Sequence, residues 1–111
     1  MIDLSNNSNN QVTITEPLSI RGIGLHSGLN VSMKLHPAEA DYGIKFIRKD
    51  LTKNNIIEAL WSNVTNTKLS TTISNQSGTS VSTIEHLMSA LSGLHIDNIK
   101  IEINGPEVPI M

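Results

Sequence analysis

Glutamate and histidine side chains at two places in the sequence could support general-base or metal chemistry. Glu85 and His86 are adjacent, and such side chains act as general bases and as metal ligands. His26 lies in a loop crowded with glycines, where the backbone can approach a ligand closely. The adjacent pair differs from the His-Glu-x-x-His motif of the zincins, because no second histidine follows it at helical spacing.

Each of these residues also has a structural interpretation. Glu85 lies three residues after Ser82, where a capping box commonly places a glutamate that needs no catalytic role. His86 would then be a surface or interface histidine, and His26 would mark a simple hairpin turn. The residue types alone favour the structural interpretation for the pair and leave the two interpretations of His26 open.

The remaining histidines, His36 and His95, add little to this chemistry. His36 precedes a proline at the end of a predicted strand and is interpreted as structural or exposed, whereas His95 follows a predicted helix and is interpreted as a cap or surface residue. A hydrolytic zinc site needs three protein ligands and an open position for water. A cluster of His26, His86 and a third histidine stays open, but no spacing supports it. The residues alone therefore indicate at most a partial metal site.

The composition is that of a globular chain of one domain. Of the 111 residues, 38% are hydrophobic and 16% are charged, with eight basic against ten acidic side chains. The basic residues are scattered, which argues against a nucleic-acid partner and against a polybasic membrane segment. Cysteine is absent, and neither a leader peptide nor an apolar run of about 20 residues is visible. We therefore expect a cytoplasmic protein without a transmembrane segment.

The elements that must position these residues can be read from periodicity. Residues 1–10 are rich in Asn and Ser and are predicted to form a disordered head, followed by a folded domain over residues 11–111. Alternating apolar residues predict strands. These strands are expected at residues 12–15, 31–35, 43–49 and 99–103, with two further short strands within residues 56–76.

One amphipathic helix is predicted after Ser82. Its core face is formed by apolar residues at helical spacing, namely Ile84, Leu87, Met88, Leu91 and Leu94. Gly93 is expected near its C-terminal end. The opposite face carries His86 with the small residues Ser89, Ala90 and Gly93, so we expect another element to cover it. Strands joined by short turns, with a helix packed on the sheet, predict the α+β class.

Three stretches resemble, in the same order and spacing, the bacterial UDP-3-O-acyl-N-acetylglucosamine deacetylases of lipid A synthesis. The first is Gly-Ile-Gly-Leu-His-Ser-Gly at residues 22–28, and the second is Ser-Thr-Ile-Glu-His-Leu-Met-Ser-Ala-Leu at residues 82–91. The third combines Ile-Asp-Asn at 96–98 with Gly-Pro-Glu-Val-Pro-Ile-Met at 105–111. The resemblance extends over most of residues 18–111.

The resemblance implies a fold of two similar α+β domains, each with a sheet layer and a helix layer, and this chain corresponds to the N-terminal domain. It implies zinc-dependent hydrolysis of the N-acetyl group of UDP-3-O-acyl-N-acetylglucosamine, the committed step of lipid A and hence lipopolysaccharide biosynthesis. Glu85 matches the general base and His86 matches one of three zinc ligands. His26, Leu69 and Ser70 match residues that contact or lie near the substrate.

The other two zinc ligands of the family, a histidine and an aspartate, belong to the second domain. We therefore expect an incomplete Zn²⁺ site in this chain, with the second domain absent and the isolated chain inactive. A separate chain carrying the C-terminal domain is one expected partner. The alternative is a truncated, non-catalytic fragment or a binding module without activity of its own.

Overall fold

The computed structural model describes residues 4–6 and 10–110, which contain strands and one α-helix. Helix α1 spans Glu85–Gly93, and a 3-10 turn spans Trp61–Asn63. The strands are β1 (Leu4–Asn6), β2 (Val12–Ile14), β3 (Leu18–Ile23), β4 (Asn30–Pro37), β5 (Ile44–Arg48), β6 (Ile56–Glu58), β7 (Val64–Asn66), β8 (Thr72–Ser74), β9 (Ser80–Ser82) and β10 (Ile99–Ile103).

A five-stranded sheet forms the main layer, in the order β3-β4-β10-β5-β6. Its central strand β10 pairs antiparallel with β4 and parallel with β5. The alternation predicted for this strand is confirmed, because Ile99, Ile101 and Ile103 are all fully buried whereas Lys100 and Glu102 are only partly buried. A smaller sheet has the order β7-β8-β9, and β1 pairs with β2.

Helix α1 and the sheets share one aliphatic core, which confirms the predicted α+β class. Ile84, Leu87 and Leu91 on the helix side are buried in the same cluster as the isoleucines of β10. Phe46 of β5 is also fully buried there. The opposite face of the helix, with His86, Ser89, Ala90 and Gly93, is exposed. Among the described residues, no helix is long and apolar enough to cross a membrane.

The start of the helix differs from the prediction. Ser82 was expected to be the N-cap, but it belongs to β9, and Ile84 occupies the N-cap position without a capping side chain. The N–H of Ser82 donates instead to the carbonyl oxygen of Pro106 at 2.8 Å. The N–H of Ser82 is therefore used in pairing with the segment after β10 and is not available to a capping box. Glu85 is the first residue of the helix rather than the third.

The predicted position of Gly93 near the end of the helix is confirmed. Gly93 is the last helical residue, but the left-handed position is taken by His95, with a φ of 57°. The N–H of Ile96 then donates to the carbonyl oxygen of Leu91 at 2.9 Å, which is the bond of a Schellman motif. His95 is exposed, as predicted.

Several strands were missed or counted differently by periodicity. The chain from 56 to 76 holds three short strands rather than two, and β3 and β9 were not expected. Within the predicted head, residues 4–6 pair with β2. Residues 1–3 and 7–9 lie outside the described residues, so their predicted disorder stays a prediction.

Residues 106–110, called here the bridging segment, join the two sheets near the start of the helix. Pro109 forms a bridge with Gly24, and Glu107 forms one with Ser82. The N–H of Ile110 donates to the carbonyl oxygen of Ile23, and that of Val108 donates to the carbonyl oxygen of Ser82, at 2.9 and 3.0 Å. The segment thereby connects the end of β3 with the end of β9.

Two glycines permit this close approach. A Cβ at Gly22 would collide with the carbonyl oxygen of Ile110 and lie 3.0 Å from the Cβ of Pro109. A Cβ at Gly24 would collide with the carboxylate of Glu107. These two glycines therefore let the bridging segment pack closely against the end of β3.

Gly22→Ala is expected to destabilise the fold by about 1–3 kcal/mol, because the added methyl group must displace backbone rather than a flexible side chain. Gly93→Ala is the matched control, since a Cβ there meets nothing within 4 Å and should stabilise the helix by about 0.5–1 kcal/mol. Urea unfolding of both variants measures the difference. Equal stability of the two variants would contradict the packing of the bridging segment against β3.

Candidate catalytic site

Glu85 and His86 are the first two residues of helix α1, and both side chains are exposed. The burial of Ile84 and Leu87 on either side fixes the rotation of the helix about its axis. A negative side chain in the first helical turn is favoured by the exposed N–H groups of that turn. The helix therefore presents a carboxylate and an imidazole at one end, outside the core.

The carboxylate of Glu85 is held by the segment that precedes β8. Its Oε2 accepts a hydrogen bond from the N–H of Thr71 at 2.8 Å. This contact brings Leu69 and Ser70, the two residues before Thr71, into the neighbourhood of Glu85. Leu69 is 84% exposed and Ser70 is partly buried. The structure thus places three of the expected site residues near one another, while their roles stay predictions.

Glu85 is ionised at neutral pH. Partial burial raises the pKa of its carboxyl group. Hydrogen bonds from Thr71 and from the backbone of Glu85, together with electrostatic attraction from the nearby His86, outweigh burial, so the pKa is lowered. An ionised carboxylate has lone pairs available to accept a proton. Its surroundings therefore leave Glu85 in the protonation state that a general base needs.

His26 is tied to a residue that the sequence analysis did not single out, Glu107. The Oε2 atom of Glu107 lies 2.8 Å from Nδ1 of His26 and accepts the N–H of His26 at 2.9 Å. Its Oε1 atom accepts the N–H of Ser27, also at 2.9 Å. The side chain of Glu107 is only 4% exposed, whereas that of His26 is 45% exposed. The glycine-rich loop is thus folded around a buried carboxylate.

Burial of Glu107 raises the pKa of its carboxyl group, but the donors around it have the larger combined effect. The backbone N–H groups of His26 and Ser27, the ring of His26 and the hydroxyl of Thr83 lower the pKa from 4.5 to about 2. A buried charge without such partners would be strongly unfavourable. Only its position in the Gly-Pro-Glu-Val-Pro stretch marked this residue, and nothing in its local pattern predicts a partner about 80 residues away.

Thr83 connects this network to the start of the helix. Its Oγ1 donates to Oε2 of Glu107 at 2.9 Å and lies 3.3 Å from Nδ1 of His26. Thr83 has a φ of 59°, which is uncommon for a β-branched residue. The hydrogen bond holds this strained backbone two residues before Glu85. Glu107 therefore fixes both the loop of His26 and the entry to the helix.

Two concave regions lie on the sides of the helix N-terminus. A cavity of about 360 Å³ is lined by Leu25, Thr83, His86, Val108, Pro109 and Ile110. A groove of about 210 Å³ is lined by Ala59, Leu60, Trp61, Val64, Thr71, Ile73, Ile84, Glu85 and Met88. His86 and Glu85 thus face different, mainly apolar depressions.

His36 belongs to a separate pair on the main sheet. Nε2 of His36 is 2.6 Å from Oε1 of Glu102 on the main sheet, which gives His36 a structural role as predicted. In the described part of the chain, no group of three or more His, Cys, Asp and Glu side chains is placed to hold a metal ion. The described residues therefore do not by themselves fit a three-ligand zinc site.

Comparison with known proteins identifies the family. The sequence profile of UDP-3-O-acyl N-acetylglycosamine deacetylase matches residues 11–111. A UDP-3-O-acyl-N-acetylglucosamine deacetylase of Myxococcus xanthus is 48% identical over 104 residues, and one of Geobacter sp. is 54% identical over 101 residues.

The chain belongs to the UDP-3-O-acyl N-acetylglycosamine deacetylase family.

The alignments cover 94% and 91% of this chain, but only 33% of each relative. The chain thus spans about a third of the length of the curated deacetylases it matches. All three stretches that carried the resemblance lie in the matched region. In this family member they converge, because residues of the first and second stretches, His26 and Thr83, both bind Glu107 of the third.

The pKa of Glu107 predicts acid sensitivity of the fold. A carboxyl group with a lowered pKa stabilises the folded state above its unfolded value of 4.5, and this contribution is lost as the pH falls towards about 2. The shift corresponds to about 3 kcal/mol. Glu107→Gln should therefore lower stability at pH 7 and flatten its decline between about pH 5 and 2 relative to the unmodified protein.

The measurement is the free energy of unfolding by urea as a function of pH. Glu16→Gln, which changes an exposed carboxyl group, is the control and should leave the curve nearly unchanged. A Glu107→Gln curve parallel to that of the unmodified protein would show that the buried carboxylate does not contribute as described.

Proposed function

We propose that this chain contributes the base-bearing part of an enzyme that hydrolyses the N-acetyl group of UDP-3-O-acyl-N-acetylglucosamine to a free amine and acetate. Membership in the deacetylase family supports the reaction class. The observation that carries the proposal is the ionised carboxylate of Glu85 beside the exposed imidazole of His86 at the start of α1.

Glu85 would act as the general base. A water molecule that attacks the acetyl carbonyl carbon must lose a proton, and an ionised carboxylate within hydrogen-bonding distance can accept it. The hydrogen bond from the N–H of Thr71 holds the carboxylate in one orientation, and exposure leaves it accessible. The proton taken from water would then be available for the leaving amine.

His86 would supply one ligand to a zinc ion. Its imidazole is exposed at the helix end, and imidazole is a common zinc ligand. The described residues do not complete a ligand set. We propose that the remaining ligands come from a region equivalent to the two thirds of the relatives that this chain does not match. A separate C-terminal chain or a continuous polypeptide would both supply it.

His26, Leu69 and Ser70 are proposed to contact the substrate. His26 is exposed on a loop anchored by Glu107, and Leu69 presents an apolar side chain next to the segment that holds Glu85. These residues surround the helix N-terminus from two sides. They could therefore contact a sugar nucleotide whose acetyl group lies at Glu85.

The first experiment measures zinc content and deacetylase activity of the purified chain, alone and mixed with the separately produced C-terminal two thirds of the Geobacter relative. We expect no turnover by the chain alone and zinc-dependent release of acetate by the mixture. In the active mixture, Glu85→Gln should reduce kcat roughly 10²- to 10⁴-fold because the base is removed while the size of the side chain is kept.

Glu58→Gln, an exposed carboxylate of β6, serves as the matched control and should retain full activity. Persistent inactivity of a mixture in which both parts are folded would refute the proposed catalytic role. That result, combined with binding of the substrate by the chain, would favour the binding-module alternative.

A further inference from the structure

The contact between His26 and Glu107 shows which of the two side chains donates the hydrogen bond. Both oxygens of Glu107 are surrounded by donors, since Oε1 accepts the N–H of Ser27 and Oε2 accepts the N–H of His26 and the hydroxyl of Thr83. An ionised carboxylate can only accept hydrogen bonds. At 2.8 Å from Oε2, Nδ1 of His26 must therefore carry a proton.

In the described part of the chain, Nε2 of His26 has no hydrogen-bonding partner, and the side chain is 45% exposed. In the neutral ring, protonation of Nδ1 makes Nε2 an acceptor. The neighbouring Thr83 does not reverse this assignment, because its hydroxyl proton is directed at Glu107.

We propose that Glu107 is a positioning residue that holds the ring of His26 in the Nδ1-protonated form, with Nε2 as an outward acceptor for a hydroxyl group of the substrate. The substrate class in this proposal rests on the proposed function. The ring orientation rests only on the geometry of Glu107, His26 and Thr83.

A second carboxylate–histidine pair in the protein provides an internal comparison. Glu102 lies 2.6 Å from Nε2 of His36, the opposite ring nitrogen. Burial raises the pKa of the Glu102 carboxyl group, but the hydrogen bond from His36 and the charge of Lys49 contribute to lowering it, so Glu102 also acts as an acceptor. By the same reasoning, His36 is protonated on Nε2. The two histidines should therefore adopt opposite tautomers in one molecule.

The test is a long-range ¹H–¹⁵N correlation spectrum of the histidine rings in the ¹⁵N-labelled chain. It is recorded at about pH 8, where histidine side chains are normally neutral. We expect an Nδ1–H tautomer for His26 and an Nε2–H tautomer for His36. An Nε2–H tautomer of His26 in the unmodified protein would overturn the proposal without any variant.

Glu107→Gln then tests the cause. The carboxamide can donate as well as accept, so the ring signals of His26 should shift towards a mixture of tautomers while those of His36 stay unchanged. Glu102→Gln is the matched control with the reverse effect. Backbone amide spectra establish that each variant is folded, and unchanged His26 signals in a folded Glu107→Gln protein would exclude Glu107 as the positioning group.

Activity of the mixture with the C-terminal part provides a separate readout. His26→Ala should raise KM roughly 5- to 10-fold by removing one hydrogen bond to the substrate. Adding Glu107→Gln to His26→Ala should raise KM no further, because Glu107 affects the substrate contact through the ring of His26. Loss of its bond to Thr83 acts on the helix entry before Glu85 and should appear in kcat instead. Independent, multiplicative effects on KM would contradict positioning through His26. If no mixture is active, the ring spectra still decide the orientation, so failure of the proposed function is distinguishable from failure of this inference.

Discussion

The buried carboxylate of Glu107 is the interaction on which the rest of the site depends. It carries a charge inside the protein, and a buried charge is tolerated only when it is fully hydrogen-bonded. The donors come from the glycine-rich loop and from Thr83. Satisfying one side chain therefore requires the loop, the bridging segment and the start of the helix to meet at one place.

This requirement explains features that look unrelated along the chain. Gly24 has no side chain because the carboxylate occupies the space where a Cβ would lie. Thr83 adopts a left-handed backbone that its branched side chain disfavours, and the bond from its hydroxyl to Glu107 compensates for that strain. The helix can then begin directly at Glu85 without a capping side chain, since its entry is held by tertiary contacts rather than by local ones.

The sequence predicted what depends on local periodicity and missed what depends on distant partners. The alternation of β10 and most of the apolar stripe of α1 are dictated by burial of one face, so both could be predicted. Leu94 is the exception, because it lies at the C-cap and is 38% exposed. Ser82 as a helix cap was wrong, because pairing with the bridging segment competes for the same backbone groups. The strand β3 was missed because the alternation of its apolar residues Leu18 and Ile20 is broken by Gly22, and the third apolar residue, Ile23, is out of phase with them. Glu107 itself has no local pattern, and only the tertiary structure gives it partners.

Glu85 and His26 are held in different ways, and the difference fits their proposed roles. Glu85 is exposed and held by one backbone donor from Thr71, so its carboxylate keeps lone pairs for a proton. Nδ1 of His26 is bound to the buried carboxylate of Glu107, so only Nε2 of the ring is available to a ligand. His86, the residue after Glu85, projects from the exposed small-residue face of the helix. The arrangement thus fixes the proposed base and the proposed acceptor in place and leaves the imidazole of His86 accessible at the start of the helix.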